Sequence, residues 1–297
     1  PDPIWEDYLL EPSHLLRQYV EAVLGRWIHD RQWGVDPKCG ELFRRHIGRG
    51  LLSFLEAQAG VDSPRQRLLT KTPSVTNLGN LFEFFPEAYL LILIRDGRDV
   101  VESAVRSFQS WPDEVARQWA DGAEAIVKFD EANRGLNDRY SIVRYENLHL
   151  HLERELPRLL SFLDLDAEVY DFDAAHTLSV RGSSTYRRTR ETVDWQQPVA
   201  RTVDFKPIGR WQTWDRRMHE RFNWLAGDYQ TALGYDVFSL PDHRRGWILY
   251  NRIVDVVAEH KLSETVPSSI WQPFKRLGYR LFRSAGVGVN YNARTTS

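Results

Sequence analysis

The chain is poor in features that would place it in several common classes. It holds one cysteine, Cys39, so an internal disulfide framework and any site built from several cysteines are excluded. Its longest central apolar stretch, Ala88 to Ile94, is far too short to span a bilayer and reads as a buried strand. Charge of one sign is also lacking: 39 Lys and Arg face 41 Asp and Glu, a net charge of -2, which argues against a general nucleic-acid binder. The residues from Pro1 on show no basic-then-apolar start, no internal repeat and no low-complexity segment, so no leader is expected. These absences point to a soluble, cytoplasmic protein. The only methionine is Met218 and the first residue is Pro1, so the N-terminus is treated as a cut edge. What is present is apolar material: 42% hydrophobic residues over 297 positions, enough for a full core.

Periodicity sets the fold class. Tyr89 to Ile94 is a continuous apolar run expected to be a strand buried on both faces. Arg67 to Thr70 reads as a second buried strand and Tyr140 to Tyr145 as a third. Helices are expected between them, with Asp99 as the N-cap of one, Pro112–Asp113 opening another, and Leu152 to Leu163 a third despite Pro157. Strand and helix in alternation predict an α/β fold, a parallel sheet flanked by helices. Ligands bind such sheets at the carboxyl ends of the strands. The polar residues expected at that edge are Lys71, Arg95 and Tyr145. Residues 1–240 are expected to form the α/β domain and 241–297 a helical C-terminal extension, with amphipathic helices over 244–261 and 270–283.

Chemistry concentrates in four places. Arg95-Asp96-Gly97-Arg98-Asp99, with Ser103 one turn on, puts a guanidinium, a tight turn and a helix start at the end of a strand, an arrangement suited to a terminal phosphate. Read alone, the turn is equally compatible with Arg95 pairing a carboxylate and Ser103 capping locally. Lys71 in Lys71-Thr72-Pro73 is placed to neutralise charge developing on a leaving oxygen, or is an ordinary surface lysine. Tyr145 in Arg144-Tyr145-Glu146-Asn147-Leu148 can edge a base or sit in the core. From Arg181 to Arg221 ten Lys and Arg face five acids, which reads as a long basic loop leading into a Trp-rich helix. Within it Lys206 and Gly209 of Asp204-Phe205-Lys206-Pro207-Ile208-Gly209-Arg210-Trp211 combine charge with close backbone approach.

The order and spacing of these elements, closed by Ala232-Leu233-Gly234-Tyr235, resemble the sulfotransferases that use 3′-phosphoadenosine-5′-phosphosulfate (PAPS), in their bacterial carbohydrate- and protein-type branch. The resemblance covers residues 67–236 and implies a P-loop-type sheet. It implies a transferase that moves a sulfuryl group to an acceptor hydroxyl or amine of a carbohydrate, peptide or small molecule. It assigns Arg95 and Ser103 to the 3′-phosphate, Tyr145 to the adenine side, Lys206 and Gly209 to a loop closing over that phosphate, and Lys71 to the leaving phosphate. PAPS is then a co-substrate, and no metal is required.

Two departures stand out. The family's basic Gly-Thr-Thr phosphosulfate loop is missing between Pro1 and Ser297, so it either lies upstream of Pro1 or has been lost. The histidine base of the cytosolic branch is replaced by Pro73, which leaves Glu11 as the candidate base, with Glu6 and His14 as rivals. Two other classes compete. A nucleotide-dependent phosphotransferase would need an acid to hold Mg²⁺ and would prefer ATP. A non-catalytic binding module would stack glycans or nucleotides on some of the eleven tryptophans.

Overall fold

A computed structural model describes residues 17–23, 37–60, 67–71, 74–75, 78–108, 110–136, 138–177, 206–238 and 245–259. In chain order these form α1 (17–23), α2 (Pro37–Ala59), α3 (Leu81–Phe84), β1 (Leu90–Ile94), α4 (Gly97–Phe108) and α5 (Pro112–Asn133). There follow β2 (Tyr140–Arg144), α6 (Tyr145–Leu150), α7 (Leu152–Phe162), α8 (Phe172–Thr177), α9 (Arg216–Ala232) and α10 (Arg245–Glu259). Strands β1 and β2 pair as a small parallel sheet, joined through α4 and α5, and the Leu90 amide donates to the Arg139 carbonyl at 2.9 Å. The α/β class is as expected. No helix among the described residues is long and apolar enough to cross a membrane.

Two strand expectations need correction. Residues 67–70 form no strand, and Leu69 is 90% exposed. Arg67 instead turns its guanidinium onto the carbonyls of Leu163 and Asp164, just past the end of α7, where helical carbonyls lack intrahelical partners. In β1 burial alternates: Ile92 and Ile94 are buried, while Leu91 and Leu93 are 38% and 58% exposed. Successive side chains of a strand point to opposite faces, so an unbroken apolar run does not by itself bury both. The expected helix over 270–283 lies outside the described residues.

The chain divides into two compact units. The first takes the described residues of Pro1–Leu93, Glu124–Val143 and Leu159–Leu165. In it Leu55, Phe84, Ile126, Phe129 and Leu160 are buried. Gly48 lets α2 approach α3 backbone to backbone, since a Cβ there would meet the Phe84 carbonyl. Tyr140 packs edge-on to Phe129 at 5.1 Å, and its hydroxyl donates to Asp130 at 2.9 Å.

The second unit takes the described residues of Ile94–Ala123, Arg144–Arg158 and Asp166–Ser297. Its core joins Val101 and Val105 of α4, Val115, Ala116 and Ala120 of α5, Trp214, and Phe222 and Ala226 of α9. Burying each of the larger side chains is worth about 1.5–3 kcal/mol. Gly97 starts α4 in a space with no room for more: an added Cβ would lie 2.7 Å from both the Phe222 and Trp119 rings. Asp215 caps α9 by accepting from the Met218 amide at 2.9 Å. Arg221 of α9 holds α10 through Asn251 at 2.6 Å and Asp255 at 2.8 Å, while its Nε donates to Asp113 at 2.8 Å.

Candidate functional site

The second unit gathers the ends of both strands, Ile94 and Arg144, with the turns that follow them. Asp96, rather than Asp99, is the cap of α4: its Oδ1 accepts from the Arg98 amide at 2.9 Å, two residues on. Arg98 folds back onto Asp96 in a buried ion pair of 2.6 Å, and its guanidinium lies 3.6 Å from the centre of the Trp211 ring. Gln230, fully buried on α9, completes the turn. Its Oε1 accepts from the Gly97 amide at 3.1 Å and its Nε2 donates to Asp96 Oδ1 at 2.9 Å. Arg98 and Asp96 therefore build the site rather than face a ligand.

With that turn held, Arg95 leaves β1 toward the loop at 206–210. Its Nη2 donates to the Pro207 carbonyl at 2.5 Å, and its guanidinium sits 4.9 Å from the Tyr145 ring centre. Arg95 Nε is buried and makes no hydrogen bond. Such a donor is costly unless an acceptor reaches it. Arg210 comes to the same place from the loop. Burial, then the neighbouring guanidiniums of Arg95 and Arg106, push its pKa down. Burial likewise holds the Tyr145 hydroxyl above its ordinary pKa, opposed by Arg95 and Arg210. The result is a half-buried cluster of cations beside an aromatic ring, the electrostatics of an anion site.

The loop itself is pinned from α4. Asp99 is fully buried, and its two carboxylate oxygens accept from the amides of Gly209 at 2.9 Å and Arg210 at 2.7 Å. Gly209 has φ of 75°, a left-handed conformation suited to glycine. One turn along α4, Glu102 accepts from Trp214 Nε1 at 2.6 Å and from Arg106 at 2.8 Å. The Arg-Asp-Gly-Arg-Asp turn and the Gly-Arg-Trp loop are thus one hydrogen-bonded assembly.

The other two motifs close a second assembly. Arg144 donates to the carbonyls of Leu233 and Gly234 at 2.9 and 2.7 Å and lies 4.7 Å from the Tyr235 ring centre. The Tyr235 hydroxyl donates to Glu146 at 2.9 Å, and the other Glu146 oxygen accepts from the Asp96 amide at 2.9 Å. Ala-Leu-Gly-Tyr and Arg-Tyr-Glu-Asn-Leu meet at the turn that carries Arg95.

The comparison with known proteins now decides the family. A model of the sulfotransferase family matches residues 16–169, just over half the chain. The chain belongs to the sulfotransferase family. It is 32% identical over 120 residues to a protein-tyrosine sulfotransferase of Drosophila melanogaster, covering 37% of this chain and 23% of that protein's length. A solved sulfotransferase domain from the curacin biosynthetic pathway matches with a TM-score of 0.43 at 17% identity, covering 74% of this chain and 79% of that one.

Within this sulfotransferase-family chain, the structure brings together Arg95, Tyr145 and the loop that carries Lys206 and Gly209. The Lys206 side chain is exposed, and its carbonyl accepts from Arg210 Nε at 2.6 Å. Ser103 is half-buried on α4, one turn after Asp99. Lys71 is exposed in an irregular segment of the first unit, and Glu11 lies outside the described residues. Sequence reasoning missed Arg210 and Asp99 as partners. The signal was present, an acid in the first turn of α4 and an arginine after Gly209, but their meeting spans more than a hundred residues. Among the described residues no group of His, Cys, Asp and Glu is placed to hold a metal ion.

Proposed function

We propose that the chain transfers a sulfuryl group from PAPS to an acceptor hydroxyl or amine, with the nucleotide's 3′-phosphate bound at Arg95. The observation that carries this reading is the buried, unpartnered Nε of Arg95 on a guanidinium already packed on Tyr145. A phosphate oxygen supplies the acceptor that this donor lacks, and Arg210 adds charge of the required sign. Membership of the sulfotransferase family supports the sulfuryl chemistry.

In this scheme Arg95 and Ser103 hold the 3′-phosphate, Tyr145 borders the adenine, and Lys206 with Gly209 closes over them. The acceptor attacks sulfur in line, the bond from sulfur to the 5′-phosphate oxygen breaks, and that oxygen leaves with the electron pair. The protein's part is positioning and charge stabilisation. Lys71, at the leaving phosphate, and Glu11, taking the acceptor proton, are assigned on the family resemblance. The protein-tyrosine sulfotransferase relative makes a peptide phenol one acceptor class to test.

Calorimetric titration tests the reading. 3′-Phosphoadenosine 5′-phosphate is expected to bind more tightly than AMP or ATP, and Arg95→Ala to weaken it by about 2 kcal/mol or more, roughly 30-fold. Equal binding by parent and variant places the 3′-phosphate elsewhere. Preference for ATP favours a phosphotransferase.

A further inference from the structure

Asp99 has an unusual set of partners for a buried acid. Its carboxylate, with no exposed surface, spends both oxygens on the consecutive backbone amides of Gly209 and Arg210. Successive amides with one residue in the left-handed region form a concavity that binds anions. Here the anion in that concavity is supplied by the chain itself. Gly209 then acts through the shape of the turn, its amide being engaged by Asp99. The charged or titratable groups facing Asp99 are Arg95 from the end of β1, Asp96 from the start of α4, Tyr145 from α6 and Arg210 from the loop.

The loop so held is the one that meets Arg95 at the Pro207 carbonyl and turns Arg210 back onto the Lys206 carbonyl. We infer that Asp99 is a positioning residue: by clamping the Gly209 and Arg210 amides it fixes the 206–210 loop so that Arg210 joins Arg95 on one phosphate. This rests on the nucleotide reading above for the identity of the phosphate, whereas the clamp itself does not.

Burial, opposed by the two amides, raises the Asp99 pKa above its ordinary value. Protonation turns one acceptor oxygen into a donor facing donors.

The test uses the whole chain. Amide hydrogen exchange at Gly209 and Arg210, read by NMR without nucleotide as protection factors, reports the clamp. Protection is expected to fall by about tenfold in Asp99→Asn, which offers one acceptor and an unwanted donor. Its affinity for 3′-phosphoadenosine 5′-phosphate should drop about tenfold, with AMP binding changed less than about twofold. Unchanged protection in Asp99→Asn, or lost protection with full 3′-phosphonucleotide affinity, overturns the inference. A parent that binds the two nucleotides equally refutes the nucleotide reading, and the exchange data still judge the clamp.

Discussion

Gln230 offers the sharpest test of how the Arg95 turn is built. It is fully buried and joins α9 to the turn through the Gly97 amide at 3.1 Å and Asp96 Oδ1 at 2.9 Å. Gln230→Leu keeps the volume and deletes both bonds. The Gly97 amide is left buried without a partner, at a cost of about 1–3 kcal/mol. Asp96 loses less, because the Arg98 amide and guanidinium still donate to it. Allowing about 1 kcal/mol for the lost bond to Asp96, and a similar gain from the added apolar surface, the net destabilisation is about 1–3 kcal/mol. Gln230→Glu behaves differently. It keeps an acceptor for Gly97 but sets a carboxylate against Asp96, so burial and like charge raise its folded pKa. Above the unfolded pKa of about 4.3 the unfolded chain sheds its proton more readily, and the variant loses stability as pH rises toward the folded pKa. At pH 5 it should approach the parent, and at pH 7.5 it should be at least as unstable as Gln230→Leu. Urea unfolding followed by tryptophan fluorescence at both pH values measures this, with Trp119, Trp211 and Trp214 all in the second unit. A Leu variant within about 0.5 kcal/mol of the parent, or a Glu variant whose deficit ignores pH, refutes the reasoning.

Gly234→Ala places a side chain at φ of 75° with its Cβ against Arg144 Nη2. It should cost about 2 kcal/mol, half from backbone and half from the displaced guanidinium, and only about 1 kcal/mol in an Arg144→Ala background. Equal penalties in the two backgrounds, measured as a double-mutant cycle, argue against the contact. His219 is buried between the Trp211 and Trp214 rings and Phe238, which stacks on it at 4.4 Å. Burial, then Arg98, pushes its pKa below 6.5, so the unfolded chain takes the proton first and stability falls as pH drops below about 6.5. His219→Phe should flatten that slope in thermal midpoints between pH 7.5 and 5.5, and an unchanged slope places the titration elsewhere.

The α/β class, β1 with its abrupt polar end, and β2 are legible from period and composition, because both strands are short and bounded by charge or turns. The motifs that carry the family are equally local. Where reading along the chain failed, the competing partner was distant. Arg67 found helix carbonyls at 163–164 in place of a strand partner, and the outer leucines of β1 stayed exposed because nothing local says how many faces a sheet has covered. Asp99 has the side chain of a helix cap and lies in the first turn of α4, yet its amide partners lie at 209–210.

By itself, then, the sequence determined the α/β class, strands β1 and β2 and the cation at the end of β1. These depend on residues within a few positions of one another, where covalent geometry and periodicity dominate. Only the tertiary structure decided that Asp96 is the cap, that Asp99 holds the basic loop, that Gly234 makes room for Arg144 and that Arg95 Nε is left without a partner. Those outcomes turn on which buried donor meets which acceptor, and burial is a property of the packed chain.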